Sequence, residues 1–275
     1  MIRKYLQKIY LALIFILLYA PIVTLIVLSF NQSKTRAKWG GFTLKWYKEL
    51  LKNEQIMSAF YTTLIIAFVS AAIATVIGTA AAIAIQGMKQ KWKTMYMGLT
   101  NIPMMNPDIV TGVALALLFA FTGTMLKINS ILGFWTLLIA HITFNLPYVI
   151  LNVMPKLQQM DPDLEEAALD LGCTPFQAFT KVVIHEIMPG IISGALMAFT
   201  MSLDDFVISY FVTGSSFITL PVEIYNYTKK PIQPKIYALF TLMFAVILIL
   251  MVVMNLLQAR SEKRVQHGAQ RRVHG

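Results

Sequence analysis

The chain is short of charge. Only 13% of its 275 residues are Asp, Glu, Lys or Arg, against 57% hydrophobic, and this excludes an ordinary soluble domain, in which charged residues make up about 25%. A single cysteine, Cys173, excludes an intrachain disulfide. No second histidine or cysteine stands at ligand spacing beside His141, so no metal site is expected. No GxxxxGK[ST] run occurs, which leaves this chain without a phosphate loop for ATP. Acids are the scarcer sign, 13 against 23 Lys and Arg. The basic residues are scattered over loops rather than gathered on one helix or groove, so membrane flanks explain them better than nucleic acid does.

Long apolar runs are abundant. A helix needs about 20 apolar residues to cross the ~30 Å hydrocarbon layer, and Ile9 to Phe30, Phe60 to Ile85, Ile131 to Met154, Ile187 to Thr213 and Ile236 to Gln258 meet that directly. Leu99 to Phe121 meets it despite two prolines and Asp108. The chain therefore reads as an all-α integral membrane protein with six transmembrane helices. The first run follows Arg3, Lys4 and Lys8 but is longer than the about 7 to 15 apolar residues of a cleavable signal, so it reads as a retained anchor. With both termini cytoplasmic, inner segments carry 13 of the 23 Lys and Arg; outer ones carry 10, six of them between Asn31 and Ala59. The expected division is 1–59 for the first span and external loop, 60–258 for the membrane core, and 259–275 for a basic cytoplasmic tail whose Arg260 to Arg272 can meet anionic headgroups.

Local patterns refine this. In "FTLKWYKELLKN", Leu44, Tyr47 and Leu51 recur at helical spacing behind Thr43 as N-cap, predicting a short helix at the outer surface. Ser70, Ala74, Gly78 and Ala82 form a narrow flank on the second span along which another helix can approach. In "NIPMMNPDIV", Pro103 and Pro107 disturb the third span; freed carbonyls beside Asp108 would line a cavity or mark a kinked end. His141, Asn145 and Tyr148 share one face of the fourth span, which suits helix contacts or a pathway better than lipid.

The polar stretch "DPDLEEAALDLGCTPFQAFTKVVIHEIMPG" interrupts the apolar pattern. It predicts two short helices. Asp161 caps the first with Pro162 at its first position, Asp163, Glu165 and Glu166 favour its positive end, and Gly172 stops it. Thr174, Pro175 and Gln177 form a capping box for the second. Leu164, Ala167, Ala168 and Leu171 make an apolar face, while Asp163, Glu166 and Asp170 make an acidic one. Like charges at i and i+4 disfavour an isolated helix, which suggests a partner's cation; a solvated face is the alternative.

The spacing of Glu166, Ala167, Ala168 and Gly172 resembles the EAAxxxG loop of permease subunits of bacterial ABC importers. Ile184 and His185 stand where many members carry Leu and Pro, a departure that touches the second helix rather than the docking role. "MMNPDIVTGVALALLF", "GFWTLLIAHITFNLPYVI", "SLDDFVISYFVTG" and "TLPVEIYNYTKK" extend the resemblance over roughly Phe60 to Leu257, to PotC-type permeases of spermidine/putrescine importers. The resemblance implies a type I (MetI-like) permease in a bacterial inner membrane, not itself an enzyme. It implies a PotB-type second permease, a PotA-type ATPase dimer holding ATP and Mg, a PotD-type external polyamine-binding protein, and surrounding lipid, with no cofactor on this chain. Glu165, Glu166, Ala167, Ala168, Asp170 and Gly172 would then dock the ATPase.

Asp204 and Asp205 interrupt a run otherwise suited to lipid. They lie about 25 Å along the fifth span from Ile187, in its outer half. Adjacent helical residues diverge by about 100°, so one can face a pathway while the other meets a subunit or caps a broken helix. Asp204 or Asp205, with Asp108, Glu223, Tyr148, Tyr210, His141 and Asn145, are the expected lining of a cation route. The alternative is a role at a subunit interface or helix break. Competing functions are an ABC permease for another cationic or organic solute, an ion-coupled secondary transporter relaying protons through His141, and an intramembrane aspartyl protease, which lacks its GxGD motif.

Overall fold

The structure, a computed structural model, describes residues 2–33, 38–128, 131–161, 163–214, 217–229 and 234–273. Among the described residues, six helices are long and apolar enough to cross a membrane: Leu6–Ser29, Glu54–Gln86, Asp108–Met125, Phe134–Gln159, Pro175–Asp204 and Pro234–Val253. Two compact units divide the chain, Met1–Ser58 with Glu223–Val253, and Ala59–Val222 with Met254–Gly275. The division expected from sequence keeps 60–258 together instead.

The first unit holds α1 (Ile2–Ser29), α2 (Lys45–Leu51), α11 (Leu220–Thr228) from Glu223 onward, and α12 (Pro234–Val273) as far as Val253. After α1 the chain turns around Asn31. Its buried side chain accepts N–H bonds from Ser33 and Gly40 and donates to the Lys38 carbonyl, while its own carbonyl accepts the Trp46 indole N–H at 2.8 Å. Four bonds on one residue order an otherwise irregular loop. The α2 helix begins at Lys45 with Leu44 at the N-cap, one residue later than expected, although Thr43 Oγ1 still accepts the Lys45 N–H. In α12 the side chains beyond Leu256, including those of the basic tail, lie outside the described residues.

The second unit contains α3 (Glu54–Gln86) from Ala59, α4 (Gln90–Met105), α5 (Asp108–Met125), α6 (Phe134–Gln159), α7 (Asp163–Asp170), α8 (Pro175–Ala178), α9 (Ile184–Asp204) and α10 (Val207–Val212). Its centre is α6, buried over more than half of its most apolar stretch and packed lengthwise on α9. Val149, fully buried on α6, sits between two glycines: a Cβ on Gly78 of α3 would come within 2.8 Å of its side chain, and one on Gly194 of α9 within 3.2 Å of its Cα. Ser70, Ala74, Gly78 and Ala82 are all buried, and the flank they form is where α3 closes on its neighbours.

Three expected boundaries move. The span placed at Leu99 to Phe121 is two helices: Pro103 is absorbed inside α4, and the chain breaks at Asn106, whose ψ of 135° is extended as a residue before proline favours. The span placed at Ile187 to Thr213 ends at Asp204 and restarts at Val207. The second short helix of the polar stretch is not separate. It passes through a π-helical turn, Phe179–Val183, directly into α9.

Candidate functional site

The break between α9 and α10 separates the two adjacent aspartates. Asp205 leaves the helix with ψ 120°, and its carboxylate turns inward to accept the Ile208 N–H at 3.2 Å and the Ser209 N–H at 2.8 Å. It thereby caps α10. Behind it lies His141, only 1% exposed, with Nε2 3.5 Å from Asp205 Oδ2 and 3.0 Å from Ser209 Oγ. The other ring nitrogen, Nδ1, bonds Ser202 Oγ. Ser202 Oγ is 2.9 Å from Ser70 Oγ, which also accepts from Asn145 Nδ2 at 3.5 Å. Five buried residues on α3, α6, α9 and α10 thus form one network ending at Asp205.

Asp204 takes the opposite side. It is exposed on this chain, as is Asp108 at the start of α5. The charges of both act on the half-buried Tyr148 phenol, and Asp108 acts on Asp204. Among the described residues no Lys or Arg lies within ion-pair distance of either carboxylate. The start of α5 packs on α10: a Cβ on Gly112, one turn after Asp108, would lie 3.0 Å from Phe211 Cδ2 and 3.3 Å from Ile208 Cα. Glycine is what lets the two helices meet that closely.

The eight residues expected to line one route therefore fall into separate places. Asp108, Tyr148 and Asp204 share an exposed acidic group, whereas His141, Asn145 and Asp205 belong to the buried network. Tyr210 is partly exposed on α10, its ring 5.6 Å from that of Phe206. Glu223 lies on α11 in the other unit, 2% exposed, with Oε2 lacking a hydrogen-bond partner among the described residues. On the same helix, burial and then the Glu223 charge raise the Tyr227 phenol above its usual value. Sequence reasoning missed Ser202 and Ser209, and took Ser70 only as a small residue. Their signal was position, three residues before and four after Asp205.

The polar stretch folds as a short, tightly stopped unit. Asp161 Oδ1 accepts the Asp163 N–H at 3.1 Å; Pro162 lies outside the described residues. At the other end Gly172 has φ +84°, with Gly172 N–H bonded to Leu169 O and Cys173 N–H to Ala168 O, the paired bonds of a Schellman stop. Thr174 and Gln177 exchange the two bonds of a capping box. Glu165, Glu166, Ala167, Asp170 and Gly172 are exposed, and Ala168 is buried. The apolar face differs from expectation: Leu171, in the turn after α7, is 86% exposed, and Phe176 on α8 is 75% exposed. Acidic residues and two uncovered apolar side chains thus stand in one short stretch of chain.

Residues 74–267 match the family of the binding-protein-dependent transport system inner membrane component. This chain belongs to that family of permeases. It is 38% identical to the spermidine/putrescine transport system permease protein PotC of Escherichia coli (strain K12) over 268 residues, covering 98% of this chain and 99% of PotC. It is 37% identical over 262 residues to the putrescine transport system permease protein PotI of the same organism, covering 95% and 93%. In fold, this permease resembles a chain of a bacterial ABC transporter importing the acidic polysaccharide alginate, with a TM-score of 0.72, 14% identity, and coverage of 94% and 96%. It also resembles a chain of the MetNI methionine ABC transporter, with a TM-score of 0.60, 17% identity, and coverage of 80% and 99%. The six-span permease is thus of the type I ABC importer, MetI-like, architecture.

Proposed function

We propose that this permease forms half of the translocation pathway of an ATP-driven importer of spermidine and putrescine. One observation carries the reading: Asp108 and Asp204, far apart in sequence, are exposed carboxylates at the ends of α5 and α9, on either side of the close approach of α5 to α10, with no cation from the described residues within ion-pair distance. A charge inside a membrane costs at least ~2.5 kcal/mol on insertion scales, so such carboxylates need water, a partner or a cationic cargo. A polyamine supplies two or more ammonium groups on a flexible chain. Carboxylates lower its electrostatic barrier, and the phenol rings of Tyr148 and Tyr210 add cation–π contact. Conduction requires that the site be weak enough to release, so selection belongs to the external binding protein. His141, Asn145 and Asp205 support the lining.

Coupling runs through the polar stretch. Glu165, Glu166 and Asp170 offer charge to cations of an ATPase subunit, and Leu171 with Phe176 offers apolar area for its cleft. ATP and Mg are bound there, on the separate PotA-type dimer; no cofactor is held by this chain. A PotB-type permease completes the pathway and a PotD-type protein delivers the polyamine. This arrangement puts α7 and both termini on the cytoplasmic side of the inner membrane, consistent with the excess of basic residues in those segments.

The test is uptake of labelled spermidine, putrescine and amino acids by proteoliposomes holding all four kinds of subunit. ATP-dependent polyamine uptake supports the proposal. Amino-acid uptake without polyamine uptake contradicts the substrate, and would favour an ABC permease for another solute.

A further inference from the structure

The buried network has a direction. Asn145 Nδ2–H donates to Ser70 Oγ, and the hydroxyls can then pass the same sense along: Ser70 to Ser202 Oγ, Ser202 to His141 Nδ1, and His141 Nε2–H to Ser209 Oγ, with Asp205 Oδ2 3.5 Å from the same nitrogen. In this assignment each of these four donors meets an acceptor, while Asn145 Oδ1 has no partner among the described residues, and hydrogen bonds in such a chain reinforce one another at low dielectric. The chain enters from α3 and α6, and it ends at Asp205, the first of the two residues at which the fifth span breaks. Asp205 is held there from two sides, by His141 and by the α10 amides it caps.

We infer that His141 is a positioning residue: by holding Asp205 inward at the helix break, it fixes the direction in which Asp204 faces. Asp204 is the last residue of α9 and Asp205 the first beyond it, so one peptide unit links their orientations. With Asp205 pinned toward His141, Asp204 is directed to the side where Asp108 and Tyr148 lie. Loss of the clasp frees the junction to rotate, and the exposed carboxylate no longer keeps one heading. The functional importance of this rests on Asp204 serving the cation route; the geometry of the clasp does not.

The experiment separates the two. In the fully assembled importer, with Cys173→Ala removing the native thiol, Asp204→Cys is labelled with a cationic methanethiosulfonate reagent, and the rate is compared with and without His141→Ala. The clasp predicts a rate change of about tenfold or more, as for a buried hydrogen-bonding partner left unpaired. It also predicts that His141→Gln, which carries an amide N–H near the Nε2 position, restores most of the rate, while His141→Asn, matching only Nδ1, does not. An unchanged rate in assembled His141→Ala importer overturns the inference. If that variant does not assemble, the Gln and Asn variants decide, and equal rates in those two overturn it. Protection of Asp204→Cys by spermidine reports on the route alone: its absence would contradict the pathway reading and leave the His141 contrast standing.

Discussion

Two adjacent carboxylates with the same covalent chemistry acquire different work from a single backbone step. Asp205 is committed to capping and to His141, so its removal acts on stability. Asp205→Ala loses a cap and leaves a buried histidine without its acid, and is expected to destabilise the solubilised permease by about 1–3 kcal/mol, read as a lower melting temperature. Asp204 makes no such contact, so Asp204→Asn should leave melting unchanged while lowering polyamine uptake on the order of tenfold through loss of a charge partner. The opposite pattern, a stability loss at Asp204 and an uptake loss at Asp205, would reverse the assignment. Sequence alone showed that both acids could not face one narrow pore. It could not say which turned inward, because that depends on His141, Ser202 and Ser209, brought from 61 and more positions apart or hidden among apolar neighbours.

At the scale of elements, apolar runs made the six spans legible, since length and hydropathy are local properties. Helix breaks were harder. Pro103 and Pro107 are both helix breakers by rule, yet only the second coincides with a break, and the break after Asp204 has no proline at all. It is held by tertiary hydrogen bonds that no local pattern announces. The capping box of Thr174 and Gln177 and the stop at Gly172 were readable, by contrast, because they act within a few residues of themselves. Packing at Val149 gives a paired prediction. Gly78→Ala meets Val149 Cβ and Cγ1 and should destabilise by about 1–3 kcal/mol; Val149→Ala removes Cγ1 but keeps Cβ, and should relieve it in part. Gly194→Ala meets the Val149 backbone, so the same second change should not help; equal rescue of both, read by yield and thermal melting, would contradict the geometry. For the coupling surface, Leu171→Ser with Phe176→Ser should leave insertion intact and reduce co-purification of the ATPase subunit. Undiminished co-purification would remove that pair from the docking surface.

At the scale of the whole molecule, the chain is a permease with a short acidic handle on one side and an acidic group at a helix break along its fifth span. It carries no phosphate loop, so the energy source is the property that divides the remaining functions most cleanly. The proposed importer would draw on ATP through α7, whereas a secondary transporter would draw on an ion gradient through the acids and His141. The most direct measurement is spermidine uptake into proteoliposomes containing this permease with its partner permease, ATPase and binding protein, with internal ATP and the proton gradient varied independently. The account predicts uptake that requires ATP and the binding protein and persists when a protonophore collapses the gradient. Uptake that follows the gradient and continues without ATP would contradict it.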